Sequence, residues 1–287
     1  MKLKNIKDLL TLIRVKQWYK NILLFLALFF SGNIFNIDLI KISLLGFISF
    51  CLLSSTNYII NDLVDIEKDR NHPEKKNRPL ASRAISKSKA LFLIIVLSCS
   101  GLYLAYTLGL FFLLAALSLL IITQLYSFFL KKIIMADVLV IAALFVIRAT
   151  AGALAIKVVI SPWLLLGPFF LALFLAIGKR HADLHFLQED AASTREVLGQ
   201  YTKETTNGLM LISTTLLIMS YAFYSFLNEY NSLLYTIPFA LFVIFRFYHL
   251  ANSGSIIARH PEKVIKDKAM IIGMLLWLTA TATFIYL

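Results

Sequence analysis

Long apolar stretches dominate this sequence and restrict the folds open to it. They lie near residues 22–35, 39–60, 90–108, 110–129, 136–156, 162–178, 209–227, 233–250 and 270–287. Roughly 20 apolar residues span a bilayer as a helix. Because 59% of the 287 residues are hydrophobic and only 15% are charged, a water-soluble globule and a disordered chain are both excluded. We predict an all-α, polytopic membrane bundle of about nine transmembrane helices, in one integral-membrane domain over residues 1–287.

The distribution of basic residues predicts the orientation of the chain in the membrane. The sequence has 28 Lys and Arg against 16 Asp and Glu, and 24 of the 28 fall on one side when the helices alternate in direction. By the positive-inside rule this side is the cytoplasm, and it holds the N-terminus. The long polar loops, about residues 61–89, 179–208 and 251–269, share that side, so we expect a polar active-site cavity facing the cytoplasm. Because topology accounts for the positive charge, nucleic acid is not an expected partner.

The sharpest chemical signal stands where the second apolar stretch ends, in the run N-Y-I-I-N-D-L-V-D-I-E-K-D. Its polar members are Asn57, Asn61, Asp62, Asp65 and Asp69. Helical spacing places the last four on one stripe, and carboxylates this close repel each other unless a cation lies between them. Carboxylate and amide oxygens suit Mg²⁺, which shares its coordination with substrate phosphates. We predict that these last four side chains hold Mg²⁺, that the three aspartates are catalytic, and that Asn57 binds substrate.

A plainer interpretation of the same run is a solvated helix end. The acidic side chains would then pair with the basic residues near them in sequence, which are Lys68, Arg70, Lys75 and Lys76. Both interpretations remain open at the level of sequence.

Two basic segments flank the acidic run. The segment 72–80 follows it directly, and in it we predict that Lys76 and Arg78 bind phosphate oxygens that the metal does not reach. The segment 14–21 precedes the first apolar stretch, and we predict that an anionic head group is bound there by Arg14, Gln17, Lys20 and Asn21. Lipid binding at the inner leaflet and interfacial anchoring are the alternatives for the two segments.

Ionisable groups within the apolar stretches are few. Asp137 and Arg148 lie 11 residues apart in the fifth stretch, and a structural network between the fourth and fifth helices explains them as well as a functional role does. Tyr126 and Lys131 stand at the end of the fourth stretch. We count Tyr126, Lys131 and Arg148 among the predicted substrate-binding residues.

The sixth apolar stretch ends in a mixed charged segment. Lys179 and Asp183 are one helical turn apart, and Arg180 lies beside Lys179. We predict that Lys179 is catalytic and that Arg180 and Asp183 bind substrate, since positive-inside topology explains the cations but not the acid. We expect His181 to be a packed histidine. Arg246 and the residues before the last stretch either cover the site or cap a helix.

These motifs together resemble the UbiA-type superfamily of intramembrane prenyltransferases. Its first motif, N-x-x-x-D-x-x-x-D, matches Asn61, Asp65 and Asp69, but in place of its usual second aspartate cluster this chain has G-K-R-H-A-D, with Asp183 the only acid before Glu189. Five segments are similar to one branch, the decaprenyl-phosphate phosphoribosyltransferases. They are R-x-x-Q-W-x-K-N from Arg14, N-D-x-x-D-x-x-x-D-R-x-H-P from Asn61, R-P at Arg78, I-R-A at Ile147 and G-K-R at Gly178.

The resemblance implies a Mg²⁺-dependent transferase of the bacterial inner membrane. Phosphoribosyl diphosphate would be the soluble donor and a polyprenyl phosphate lipid the acceptor, with the product used in cell-envelope polysaccharide or lipid-linked sugar synthesis. The lipid phosphate would attack the anomeric carbon as diphosphate leaves, through a state similar to that of glycosyl transfer. Because the acceptor is already anionic, the reaction needs no strong general base.

Two other functions fit the sequence less well. An aromatic prenyltransferase of quinone or haem biosynthesis would use the same fold, but the missing second aspartate cluster argues against it. A membrane transporter needs polar groups near the midplane that are reachable from both sides. This sequence concentrates its polar groups at one face.

Overall fold

The computed structural model describes residues 2–71, 75–187 and 196–287, and over these ranges the chain is helical with no strand. Of the sequence motifs, His72 and Pro73, like Glu189, lie outside the described residues. The chain divides into two compact units. The first comprises residues 1–127 and 147–159, and the second comprises residues 128–146 and 160–287.

Six α-helices precede residue 130. They are α1 (Lys2–Leu12), α2 (Phe25–Phe30), α3 (Ile37–Val64), α4 (Ile66–Arg70), α5 (Lys87–Thr107) and α6 (Leu110–Phe128). A 3-10 helix, Val15–Leu24, leads into α2, and a second short one covers Lys75–Asn77. The Asn36 side chain caps α3 by accepting from two backbone N–H groups, and Ser86 caps α5 in the same way with one.

Six more α-helices complete the described chain. They are α7 (Ala136–Ile156), α8 (Pro162–Leu187), α9 (Lys203–Leu227), α10 (Ile237–Asn252), α11 (Ile256–Arg259) and α12 (Lys268–Tyr286). Short 3-10 helices cover Leu130–Lys132, Glu196–Gln200, Asn231–Thr236 and Pro261–Lys266.

Eight helical segments within the described residues are long and apolar enough to cross a membrane, and they coincide with eight of the nine predicted stretches. The first predicted stretch, 22–35, differs because its α-helical part is only α2, which has six residues. A turn with Gly32 at φ 74° ends α2. The preceding 3-10 helix rises faster, at roughly 2.0 Å per residue, so this short apolar stretch gains length without gaining residues.

A small apolar core lies under the acidic run in the first unit. Its buried members come from α1, α3, α4, the loop that follows and α5, and they are Leu12, Ile59, Ile66, Leu80, Ile85 and Ala90. Ile66 and Leu80 place both arms of the 61–89 loop on this core. The described parts of this loop, on either side of residues 72–74, therefore have a fixed position against the end of α3.

A close helix crossing also shapes the first unit. A Cβ added at Gly152 in α7 would overlap the backbone oxygen of Leu24, at the end of the first 3-10 helix. Only the missing side chain lets these two backbones approach so closely. The crossing holds Asn21, one turn before Leu24, against the same region of α7.

The second unit is built on a larger apolar core. Phe174 of α8 packs edge-on against Phe247 of α10, with ring centroids 5.0 Å apart, and Met210 of α9 is fully buried beside them. A Cβ added at Gly178 would lie 2.6 Å from the Phe247 ring. The glycine before Lys179 thus fixes how closely α8 and α10 pack.

Candidate active site

The acidic run lies at the junction of two helices. α3 ends at Val64, Asp65 forms the turn with φ −88° and ψ 8°, and α4 begins at Ile66. The Asp65 N–H still donates to the Asn61 carbonyl oxygen at 3.0 Å. The spacing of the predicted stripe is kept across this junction, since the Asp69 N–H donates to the Asp65 carbonyl oxygen at 2.8 Å. The α-helix is interrupted only at Asp65, because an aspartate between two β-branched residues is a poor helix former.

Arg78 joins the two buried carboxylates of this junction. Its Nη1 donates to Asp62 Oδ1 at 3.1 Å and to Asp69 Oδ2 at 2.7 Å. The Asp62 and Asp69 side chains are each 3% exposed, whereas that of Arg78 is 28% exposed. One positively charged nitrogen of the segment 72–80 thus lies between two carboxylates of the acidic run.

Arg14 is a second cation at the same carboxylate. Its Nη2 donates to Asp62 Oδ1 at 2.5 Å, and its guanidinium lies 4.7 Å from the centroid of the Tyr58 ring. The Arg14 backbone adopts φ 50° and ψ 50°, a left-handed conformation that costs a non-glycine residue about 1–2 kcal/mol. Packing that holds a strained residue against Asp62 is typical of functional sites.

The plainer interpretation, in which the acids pair with nearby cations, is realised in part. The partners of Asp62 and Asp69 are arginines, while Arg70 pairs with Glu67 at 2.7 Å. Burial lowers the pKa of Lys75, the charge of Arg78 lowers it further, and Asp69 acts in the opposite direction. Lys75 therefore also lies within the electrostatic reach of this cluster.

Two side-chain amides line the same face of the first unit. Asn61 donates to Ser127 Oγ at 2.9 Å, which leaves its carbonyl oxygen available as a metal or hydrogen-bond acceptor. Asn57 accepts from Gln124 Nε2, and the Asn57 amide nitrogen is buried with no hydrogen-bond partner among the residues that the structure describes. The sequence analysis missed Gln124, and its polar side chain within an apolar helix was the signal that could have found it.

Asn21 and Arg148 form a buried polar link. Arg148 Nε donates to Asn21 Oδ1 at 2.9 Å, and Asn21 Nδ2 lies 3.3 Å from Cys51 Sγ. Of the two residues considered for a network between the fourth and fifth helices, Arg148 bonds to Asn21 of the first 3-10 helix and Asp137 bonds to Arg180 and Tyr201. The amide of Asn21 is thus engaged with protein groups, and the substrate role predicted for Asn21 and Arg148 stays a prediction.

The remaining predicted substrate residues are partly or fully exposed. Gln17 and Lys20 lie on the first 3-10 helix, with the Lys20 ammonium 6.0 Å from the Tyr19 ring centroid. Lys76 is exposed on the Lys75–Asn77 turn, and Tyr126 and Lys131 are half-buried near the end of α6. Their roles stay predictions.

Asp137 belongs to the most deeply buried ion pair of the second unit. Arg180 Nε donates to Asp137 Oδ2 at 2.8 Å, and the two side chains are 2% and 0% exposed. The Tyr201 hydroxyl donates to Asp137 Oδ1 at 2.7 Å and accepts from the Met135 N–H. Burial raises the pKa of Tyr201, and so does this hydrogen bond, so the phenol stays protonated and donating. The substrate role of Arg180 stays a prediction, and Tyr201 was found only from the structure.

Asp183 has a partner that the sequence analysis did not identify. Arg259, the last residue of α11, donates from Nε to Asp183 Oδ1 at 2.9 Å. The Arg259 guanidinium lies 3.8 Å from the centroid of the Phe186 ring. No feature of the sequence distinguished Arg259 from the other loop cations. Lys179, one turn before Asp183, remains a predicted catalytic residue.

Two other groups of the second unit are structural. His181 is buried, and its Nδ1 lies 2.9 Å from Thr206 Oγ1, as expected for a packed histidine. Arg246 Nη2 donates to Asp267 at 2.7 Å, and Asp267 accepts from the Met270 N–H at 2.8 Å. Of the two roles left open for the segment before α12, helix capping is therefore the one observed.

The family comparison decides the class of protein. Residues 22–261 match the model of the UbiA prenyltransferase family. The chain belongs to this family. It is an integral membrane enzyme of the transferase class, and the resemblance read from Asn61, Asp65 and Asp69 is confirmed.

Curated relatives within the UbiA family extend over nearly the whole chain. A decaprenyl-phosphate phosphoribosyltransferase from Mycobacterium tuberculosis is 30% identical over 273 residues, which cover 93% of this chain and 90% of the relative. Another of the same name from Corynebacterium glutamicum is 30% identical and covers 99% of this chain and 89% of its own. The predicted branch is thus among the similar proteins.

Solved structures confirm the UbiA fold. A UbiA homolog from Archaeoglobus fulgidus, bound to GPP and Mg²⁺, superposes with a TM-score of 0.72 at 22% identity, covering 98% of this chain and all of that one. At 22% identity this similarity shows only that the two proteins share a fold.

The side chains of Asn61, Asp62 and Asp69 are compared with the ligands of a divalent cation, since the Archaeoglobus fulgidus homolog is bound to Mg²⁺. Among the described residues, no group of three or more His, Cys, Asp or Glu side chains converges as a metal site does. The donor chemistry nevertheless fits, since Asp62 and Asp69 already hold one positive group, Nη1 of Arg78, between their oxygens. Two carboxylates and the Asn61 carbonyl oxygen are the hard oxygen ligands that Mg²⁺ prefers.

Proposed function

We propose that this UbiA-family enzyme transfers 5-phosphoribose from phosphoribosyl diphosphate to a polyprenyl phosphate and releases diphosphate. The observation that carries the proposal is the buried pair Asp62 and Asp69, held by Arg78 with Arg14 beside it. Relatives named for decaprenyl-phosphate phosphoribosyl transfer, similar over nearly the full chain, support the choice of substrates. The proposed location is the bacterial inner membrane, with the N-terminus and the active site on the cytoplasmic side.

Asn61, Asp62, Asp65 and Asp69 would hold Mg²⁺ in the proposed enzyme. When bound, the ion would neutralise the diphosphate of the donor and so assist its departure. Asp62 and Asp69 would have this role because their oxygens already share the Arg78 cation, and Asp65 is added because it lies between them in the same motif.

Arg14 and Arg78 would bind phosphate oxygens of the substrates. Both guanidinium groups are partly exposed while their carboxylate partners are buried, so an arriving phosphate reaches the cations first. Arginine is suited to this exchange because its planar fork matches phosphate as well as carboxylate. The same arginines thus compensate the acidic charge before the substrate binds.

The transfer itself would require little proton chemistry from the protein. A phosphate oxygen of the lipid would form the new bond to the anomeric carbon while the bond to diphosphate breaks, with inversion at that carbon. Catalysis would rest on positioning and on electrostatic stabilisation of the leaving diphosphate. In the second unit, Lys179, Arg180 and Asp183 are proposed as further groups that bind or neutralise substrate.

Label transfer in the test tube checks the proposal. Purified protein with Mg²⁺, labelled phosphoribosyl diphosphate and polyprenyl phosphates of several lengths should carry label into the organic phase, and EDTA should stop the transfer. If a folded sample transfers nothing with any chain length, the proposal is wrong. A parallel assay with prenyl diphosphates and aromatic acceptors would then test for the activity of an aromatic prenyltransferase.

A further inference from the structure

We propose that Arg259 is a phosphate ligand of the transfer reaction, and that Asp183 and Phe186 are positioning residues that orient its guanidinium. The inference rests on the proposed function and deepens it within the second unit.

The backbone of Arg259 has a fixed position on α8. The short helix α11 is capped by the Ser255 side chain, and its Ile257 and Ala258 are buried against the second unit's core. Gly254, with φ 63°, forms the tight turn before α11, where a Cβ would lie 3.4 Å from the His185 Cβ of α8. Arg259 therefore extends from an anchored turn.

The side chain of Arg259 is oriented by two contacts. Asp183 accepts from Nε at 2.9 Å, and the Phe186 ring lies under the guanidinium plane at 3.8 Å from its centroid. Within the described chain the Asp183 contact is the one hydrogen bond of this guanidinium, so both Nη groups keep their N–H donors. The side chain is 16% exposed, which leaves these donors within reach of a ligand.

A guanidinium held in this way is suited to phosphate. Its two Nη groups form a planar fork that matches two phosphate oxygens, and a carboxylate on Nε fixes the direction of the fork. Asp183 is one helical turn from Lys179, so a second cation lies on the same part of α8.

The electrostatics of the neighbouring segment place Lys179 near α11. Burial raises the pKa of Glu262, but its own backbone N–H and the charges of His260 and Lys179 together lower it below its ordinary value. Lys179 therefore acts on the segment Pro261–Lys266, which directly follows Arg259. The shared ligand chemistry is a phosphate group, either of the soluble donor or of the lipid acceptor.

Steady-state kinetics on four test variants and one control variant test this proposal. Arg259→Ala should raise the KM for one phosphate substrate about 10- to 100-fold, as the loss of charged hydrogen bonds predicts, with a much smaller fall in kcat. Arg259→Lys keeps the positive charge but not the planar fork, so its KM should lie between the values for the parent and for Arg259→Ala. Asp183→Asn and Phe186→Leu should raise the same KM less. Arg246→Ala, which removes another Arg–Asp pair of the second unit, is the matched control and should leave both KM values within about two-fold.

The substrate whose KM rises identifies the phosphate. A rise for phosphoribosyl diphosphate alone assigns Arg259 to the donor, and a rise for polyprenyl phosphate alone assigns it to the lipid. If Arg259→Ala fails to fold, Arg259→Lys decides. A folded Arg259 variant with both KM values within two-fold of the parent overturns the proposal. Unchanged KM in Asp183→Asn overturns the positioning role.

A binding measurement separates this proposal from the proposed function. If the parent protein shows no label transfer, titration with inorganic diphosphate still measures the affinity of the protein for a phosphate ligand. Weaker binding by Arg259→Ala than by the parent and by Arg246→Ala would support a phosphate site at Arg259. Equal affinity would overturn it.

Discussion

The Asp62–Asp69 cluster of the first unit and the Asp137–Arg180 pair of the second unit combine arginine and aspartate in opposite ways. In the first unit, Asp62 and Asp69 are buried while their partners Arg14 and Arg78 are partly exposed. In the second unit, Asp137 and Arg180 are both buried; Asp137 also accepts from Tyr201, and Arg180 Nη2 has no hydrogen-bond partner within the described residues. A cation that solvent can reach is exchangeable for a ligand, whereas a fully buried pair holds helices together. Exposure of the cation is therefore a requirement for a binding site but does not define one, because Arg246 is 37% exposed and its partner Asp267 caps α12.

The largest expected effect is on catalysis in the first unit. Asp65→Asn should reduce label transfer by at least about 1,000-fold, because it removes a charged ligand of the proposed ion. The protein should remain folded in detergent, since Asp65 lies at a helix junction. Asp38→Asn is a matched control, because Asp38 is exposed at the start of α3 and pairs only with Lys41 among the described residues. Retained activity of Asp65→Asn with unchanged Mg²⁺ dependence would refute the assignment of the metal ligand.

The next effect is on stability in the second unit. Asp137→Ala should cost about 3–5 kcal/mol, because it leaves the buried Arg180 without a counter-charge. Thermal unfolding in detergent measures this loss. The double variant Asp137→Leu with Arg180→Met should recover most of it, since apolar replacement of a buried pair is often neutral. A destabilisation no smaller in the double variant would contradict a simple structural pair.

A milder substitution in the first unit sharpens the contrast. Arg78→Lys keeps a cation near Asp62 and Asp69 but removes the other guanidinium donors, with which Arg78 would bind phosphate while Nη1 holds the two carboxylates. Label transfer should fall about 10- to 100-fold. The free energy of unfolding should change by less than about 1 kcal/mol, because the Arg78 side chain is partly exposed. A loss of stability as large as that of Asp137→Ala would place Arg78 with the structural pairs.

The smallest effect concerns the Arg246–Asp267 pair at the start of α12, in which only the arginine is exposed. The Arg246 hydrogen bonds hold the pKa of Asp267 below its ordinary 3.8. A carboxyl group whose pKa is lowered by folding stabilises the protein above its unfolded-state pKa, and this stabilisation is lost as the pH falls through its folded-state pKa. The free energy of unfolding in detergent should therefore fall only below about pH 4, and Asp267→Asn should remove this part of its acid dependence. The cap is worth about 1 kcal/mol, so an equal acid slope in the variant would show that other groups carry it.

Much of the fold followed from the sequence, because hydropathy and helix length are local properties. Eight apolar stretches became helices, six of them within about four residues of their predicted bounds, while α8 ends nine residues later and α9 begins six residues earlier than predicted. The first stretch is α-helical only over Phe25–Phe30, because a 3-10 helix precedes that segment and a turn at Gly32 follows it. The acidic motif and Arg78 were also predictable from spacing. The partners of Asp183 and Asp137 were not, because Arg259 and Tyr201 come from distant segments that only tertiary packing brings near.

The Gly152 crossing affects how a mutational scan of this enzyme would be interpreted. Every replacement there forces a side chain into the backbone of Leu24, so position 152 should tolerate no other amino acid even though it is assigned no ligand or substrate. A map of intolerant positions would therefore show Gly152 together with the aspartates. Expression level, measured beside activity for each variant, separates the two causes: loss at Gly152 follows the amount of folded protein, and loss at Asp65 does not.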